Sequence, residues 1–433
     1  MKDQATGRLE PAARPARVRS RLRRLLPYFM ALGPGLLAAS AGNDAGGIAT
    51  YASAGAAYGY GLLWAMVLVT LFVGVVQEMS ARMGAVTGKG FSDLVRESFS
   101  LRTTAFILVT LLVANAGIIF SEFIGIAAAS ELFGVSRYIS VPLAAGLVWL
   151  LIVRGSYERV EKIFLVLSLA FLAYVGAAIL AHPDWHQVLV ETVHPHLRMD
   201  AGYLSLLIAL IGTTISPYMQ LYVQSSVVEK GVTPDEYRYT RFDVIAGTVF
   251  AGVVAVFIIV ATAATLFPRG LHVNSAADAA RALEPVAGPY ARLLFALGLL
   301  GASLLAAGVL PLATTYMMSE ALGFERGVSR TWSEAPVFMG MFTGLIVLGA
   351  GVALVPGLPL IQVLVGVYVL NGVLLPIELF AMLRLVNDRE LMGSHVNGPV
   401  YNLVAWGIAL LVSLLSLALL VQTVLGWFGV GRN

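Results

Sequence analysis

The chain has 433 residues, 58% of them apolar and only 12% charged, with a mean hydropathy of +0.83. Soluble domains carry roughly 25% charged residues, so this composition excludes a soluble protein and points to a bilayer. The net charge is only +3, and the absence of cysteine excludes disulfides, thiolate metal ligands and thiol redox chemistry together.

Eight of the 28 Lys and Arg residues fall within the first 24 positions. They form a basic tail over 1–26 suited to anionic lipid headgroups, and nucleic acid is not needed to explain them. Beyond it, apolar windows of about 18 or more residues recur along the chain. The expected spans are 27–57, 60–81, 103–134, 139–153, 160–181, 201–226, 243–267, 287–322, 335–355, 358–383 and 399–426. The expected fold class is an all-α polytopic membrane protein with about 11 transmembrane helices. With the amino terminus inside, 22 of the Lys and Arg residues lie in inner segments and six in outer ones, as the positive-inside rule requires. The carboxyl-terminal 427–433 is then extracytoplasmic, and the expected location is the plasma membrane.

The first span is interrupted by Ala41-Gly42-Asn43-Asp44-Ala45-Gly46-Gly47. A carboxylate in mid-bilayer costs about 2.5–3.5 kcal/mol on the lenient insertion scale, and each glycine weakens a helix by roughly 1 kcal/mol. Such a segment unwinds where carbonyls are offered to an ion. In the third span Glu122 lies near the middle, either shaping the field along a pathway or bonding to a neighbouring helix. The outer segment 182–200 holds His182, His186, His194 and His196, read as a solvated loop before a metal trap.

The sixth span repeats the interruption at Gly212-Thr213-Thr214-Ile215-Ser216-Pro217-Tyr218. Pro217 removes a donor and displaces the carbonyl of Thr213. Gln224 continues that helix and is a candidate for an inner vestibule. On the tenth span Tyr368 and Asn371 lie one turn apart, suited to helix–helix hydrogen bonds. Glu378 is expected to snorkel or pair with Arg384 and Arg389. Breaks in the first spans of two five-helix halves point to a midplane site in a transporter of inverted repeats. The donors are a carboxylate, carbonyls and hydroxyls, a hard-oxygen set for a small cation. No hydrolase triad, metal-hydrolase motif or phosphate loop is present, so an enzyme is not expected.

Particular motifs carry a resemblance. Gly33-Pro34-Gly35 through Asp44, Gly59-Tyr60-Gly61-Leu62-Leu63-Trp64, Ala81-Arg82-Met83-Gly84, Val86-Thr87-Gly88-Lys89 and Arg389-Glu390-Leu391-Met392-Gly393 resemble the Nramp family of divalent metal transporters. The resemblance implies a LeuT-type fold. Its repeats would be about 27–181 and 201–383, with an extra helix at 399–426, all within one transmembrane domain of 27–426. It also implies that the carbonyls of Ala41 and Thr213 face the ion, with Asp44 as the charged ligand and Gly47 and Ser216 bordering the cavity. Tyr368 aligns with a family glutamine, a part that Asn371 is also placed to take.

The departures from the family pattern are specific. Ala45 and Gly47 replace proline and asparagine, Ser216-Pro217-Tyr218 replaces Met-Pro-His, and Ile119 replaces an aspartate. Losing a soft thioether favours a harder ion, and the pattern resembles the Nramp-related magnesium transporters. The expected activity is uncoupled movement of Mg²⁺, and also Mn²⁺, with proton-coupled Mn²⁺/Fe²⁺ transport as the alternative. A sodium-coupled amino-acid carrier on the same fold is disfavoured, because Asp44 repels a substrate carboxylate. The expected partners are the metal ion and the lipid bilayer, with no cofactor and no protein partner implied.

Overall fold

The computed structural model describes residues 42–154, 172–281, 288, 291–327 and 330–427. The basic tail, the first half of the expected first span with Gly33-Pro34-Gly35 and Ala41, much of the expected fifth span and the last six residues lie outside the described residues. Every described regular element is helical: α1 (Ala45–Tyr58), α2 (Leu63–Thr87), α3 (Phe91–Ser98), α4 (Leu101–Leu132), α5 (Arg137–Val153) and α6 (Leu172–Leu180) come first. They are followed by α7 (Trp185–Val193), α8 (Ala201–Thr214), α9 (Pro217–Glu229), α10 (Tyr237–Thr265) and α11 (Ala276–Arg281). The chain ends with α12 (Ala291–Leu322), α13 (Pro336–Ala353), α14 (Leu360–Val386), α15 (Arg389–Met392) and α16 (Pro399–Trp427).

Among the described residues, eight helical stretches are long and apolar enough to cross a membrane, with α8 and α9 counted as one. The remaining expected spans correspond to α1, the 17-residue α5 and the described part of the fifth, α6. Where both ends are described, helix bounds follow the sequence reading within about six residues. The connections contain short helices that hydropathy does not announce, α3, α7 and α11. The expected solvated loop 182–200 is thus partly ordered, because Asp184 caps α7 by accepting from the amides of His186 and Gln187.

The bundle is organised around α1, α4, α8, α9, α12 and α14. Helix α4 packs along α12, α13 and α14; α8 packs on α14; and α10 packs on α1 and α2. Small residues set these distances. A Cβ on Gly212 would stand 2.3 Å from the carbonyl oxygen of Tyr368, and one on Gly372 would stand 2.5 Å from that of Ile208. Backbones α8 and α14 therefore touch, as glycine permits in membrane helices. Gly125 of α4 likewise lies against Ala45 and Ser303.

Candidate functional site

A helix start and a helix break meet at the middle of the bundle. Helix α1 starts at Ala45 because Asp44 caps it: the backbone at Asp44 is extended, and its Oδ1 accepts from the Gly47 amide at 2.7 Å. A second carboxylate reaches the same helix start, for Glu122 Oε2 accepts from the Ala45 amide at 3.2 Å. Ser121 donates to the other oxygen of Glu122 at 3.2 Å. Both acids thus sit at the positive end of α1, where amides left free by helix geometry favour negative charge.

The break between α8 and α9 falls at Ile215 and Ser216, with Pro217 opening α9. Ser216 Oγ donates to the carbonyls of Gly212 at 2.7 Å and Thr213 at 3.0 Å. Asn371 of α14 donates to the Gly212 carbonyl at 2.6 Å and to Ser216 Oγ at 3.2 Å. Tyr368, one turn earlier on α14, donates its hydroxyl hydrogen to Asp44 Oδ2. Asp44, Glu122, Thr213, Ser216, Tyr368 and Asn371 are all fully buried, so the site is closed to both faces of the bundle.

The structure brings Asp44, Gly47, Thr213, Ser216, Glu122, Tyr368 and Asn371 together. A Cβ on Gly47 would lie 2.9 Å from the Gly42 carbonyl oxygen, 2.9 Å from Thr213 Oγ1 and 3.1 Å from Asp44 Oδ1. Gly47 is therefore a floor with three oxygens around it. The family resemblance implies a role for the Thr213 carbonyl alone, yet its hydroxyl is buried here without a hydrogen-bond partner, as is the hydroxyl of Tyr218. The Thr213-Thr214 pair was the available signal, since two adjacent hydroxyls beside a proline break seldom all turn to lipid. The Gly42 carbonyl is a further oxygen, one residue past the expected Ala41, which lies outside the described residues.

Other expected residues stand elsewhere. Gln224 is fully buried, and its side chain donates to the Lys89 carbonyl at 2.9 Å, so it ties α9 to the α2–α3 connection. Glu378 corrects the expectation of a snorkelling or paired acid. It is 1% exposed and neither carboxylate oxygen has a hydrogen-bond partner, while Arg384 and Arg389 are exposed to solvent. The histidines of 182–196 do not converge, and among the described residues no three His, Cys, Asp or Glu side chains gather as metal ligands. His182 and His196 instead line an open cavity of about 490 Å³ with Asp184, Glu191, Tyr58 and Arg198.

The profile described as Nramp, natural resistance-associated macrophage protein-like, matches residues 35–422. The chain belongs to the Nramp family. Among curated Nramp relatives, it is 32% identical over 418 residues to the divalent metal cation transporter MntH of Ralstonia nicotianae, covering 91% of each chain. It is 28% identical over 406 residues to the protein of that name from Acidiphilium cryptum, covering 90% of each. Among solved structures, the Eremococcus coleocola manganese transporter in complex with an aromatic bis-isothiourea compound superposes with a TM-score of 0.75 at 21% identity. That match covers 96% of this chain and 90% of the other. The nucleobase-cation-symport-1 family transporter MHP1 follows at 0.54, with 16% identity over 90% of this chain and 91% of that one. Membership in the Nramp family and these superpositions establish the LeuT-type fold, a multi-pass transporter architecture with its interruptions in the first and sixth spans.

Proposed function

We propose that this chain carries a divalent metal cation, Mg²⁺ in preference to Mn²⁺, across the plasma membrane by alternating access at Asp44, without moving protons. The carrying observation is the chemistry of the two breaks. The carboxylates of Asp44 and Glu122, the carbonyls of Gly42, Gly212 and Thr213, and the hydroxyls of Thr213 and Ser216 surround them. All donors are hard oxygens, which suit Mg²⁺, Ca²⁺ and Mn²⁺. Met219, the thioether of α9, accepts from Gln77 of α2 at 3.4 Å. A donor set of oxygens suits an ion that gives up its water reluctantly.

The absence of coupling is supported by the seam between α4 and α13. Ile119 and Phe123, both buried, lie against Gly349, and α13 carries no titratable side chain. A proton leaving Glu122 along that seam would find no acceptor. The topology we adopt puts the amino terminus and α3 on the cytoplasmic side and the carboxyl terminus outside, following the charge bias.

A second reading is proton-coupled Mn²⁺ transport, and the ion in it, though not the coupling, is favoured by the likeness to the Eremococcus coleocola manganese transporter. Purified protein in liposomes with a pH dye inside separates the two. Mg²⁺, Mn²⁺ and Ca²⁺ are offered in competition, and Asp44→Ala is the blank. The expected result is metal flux without acidification, Mg²⁺ competing effectively, and no flux in the variant. Acidification that tracks metal uptake, with Mg²⁺ ineffective, gives the second reading. Normal flux in Asp44→Ala removes the site from α1.

A further inference from the structure

Six acids with buried side chains occupy the described helices that cross the bundle: Asp44, Glu78, Glu122, Asp243, Glu320 and Glu378. Five have partners. Asp44 and Glu122 cap α1; Glu78 faces Arg82; Glu320 accepts from the Ser92 amide at 3.2 Å and from Ser225 at 2.7 Å; and Asp243 is also engaged. Glu378 alone, among the described residues, has both oxygens buried and unpartnered. A bare anion in a low-dielectric interior is costly, and a neutral or apolar residue would avoid the cost. An acid kept at such a place inside a membrane bundle is a mark of a cation pathway.

Its position agrees. Glu378 follows Asn371 by seven residues on α14, two turns along one helix face and about 10 Å further on. Asn371 itself contacts the break at Gly212 and Ser216. Both α9 and α14 run from that break toward α3, which packs against each of them. The neighbouring helices also hold unsatisfied polar groups in this half of the bundle. Gln220, one turn past Ser216 on α9, is buried with both amide atoms unpartnered. Asn115, two turns nearer α3 than Glu122 on α4, is in the same condition. Helix α4 packs on both α9 and α14.

We propose that Glu378 is a second, transient binding site for the transported divalent cation, between the Asp44 site and the α3 end of the bundle. Asn115 and Gln220 are the neutral oxygen donors on the same side. The cation would leave Asp44 for a carboxylate already stripped of other partners, so no existing ion pair has to break. This rests on the transport reading above and adds an exit site to it.

The test is Mn²⁺ flux through proteoliposomes containing full-length protein, comparing Glu378→Gln, Glu378→Asp and Glu378→Leu with the parent. With metal offered from the carboxyl-terminal face, the glutamine variant is expected to lose about tenfold in maximal rate while KM stays within about twofold. Its melting temperature should be unchanged or higher, because a buried charge is gone. Aspartate should recover most of the rate and leucine should not. A glutamine or leucine variant that transports like the parent overturns the proposal, as does an aspartate variant no better than glutamine. If the parent itself moves no divalent cation, the transport reading has failed. If the parent moves it and Glu378→Gln is unaffected, only the exit site has failed.

Discussion

Tyr368 of α14 donates its hydroxyl hydrogen to the carboxylate of Asp44, across 324 positions of sequence. In the closed site this bond occupies the oxygen that a cation would need, while Gly47 holds the other. A hydrogen bond to a charged group contributes about 1.5–3 kcal/mol, so the tyrosine competes with metal for Asp44. Tyr368→Phe should bind Mn²⁺ about tenfold to a hundredfold more tightly in a calorimetric titration, because about 1.4 kcal/mol corresponds to a factor of ten. Weaker binding in that variant would instead make the phenol oxygen a ligand of the ion.

Gly46 and Gly47 sit side by side but face different neighbours. A Cβ on Gly46 would stand 1.9 Å from Cε2 of Tyr368, so alanine there must push the ring off Asp44. A Cβ on Gly47 would meet three oxygens at 2.9–3.1 Å, so alanine there crowds the oxygens of the site itself. Gly46→Ala should therefore lower the melting temperature, with an overpacking cost of about 1–3 kcal/mol. Gly47→Ala should leave stability closer to the parent and reduce Mg²⁺ flux several-fold more than Mn²⁺ flux, since Mg²⁺ keeps its water more firmly. Equal losses for both ions, measured by competitive uptake, would contradict a hydrated passage.

The two interruptions could be read from sequence because glycine, proline and an acid stand out within apolar runs. Asp44 before a run of small residues is also an ordinary N-cap signal. Ser216 bonds the carbonyl one turn back, as a serine in a membrane helix commonly does. What could not be read is rotation about helix axes. In a bundle surrounded by lipid both faces are apolar, so the hydrophobic stripe that orients a soluble helix is faint. The pairing of Asn371 with Gly212, and of Glu122 with the Ala45 amide, depends on that rotation. Glu378 was misjudged for the same reason: its distance from Arg384 along the chain suggested a partner, while the helix turns it inward.

Ser216 lies where a thioether would make the site soft. Its hydroxyl hydrogen is spent on the carbonyls of Gly212 and Thr213, leaving a lone pair near the break. Ser216→Met should raise Cd²⁺ and Mn²⁺ transport relative to Mg²⁺ by about tenfold in competition assays, because sulfur prefers the softer ions. It would also remove the hydroxyl bond to both carbonyls, leaving Gly212 to Asn371 alone, so the melting temperature is expected to fall slightly. An unchanged selectivity series with intact folding would show that the position does not face the ion.

A separate cluster closes the end of the bundle near α15. Glu78 of α2 accepts from Arg82 Nε at 3.1 Å, from Tyr401 of α16 at 2.5 Å and from Tyr237 at the start of α10. Arg82 also donates to the His395 carbonyl and to Asn397 Oδ1, and its guanidinium lies 5.5 Å from the Tyr401 ring centroid. Glu78 is only 6% exposed, so these partners stand in for the water around its carboxylate. Removing one side of a buried pair costs about 3–5 kcal/mol, and Arg82→Met, which keeps the aliphatic stem, should lower the melting temperature by several degrees. Adding Glu78→Gln should restore part of that loss, since the stranded charge disappears with it. A double variant less stable than Arg82→Met alone would mean that the tyrosines, rather than the arginine, hold the carboxylate, and that the clamp joins α2 to α10 and α16 without an ion pair.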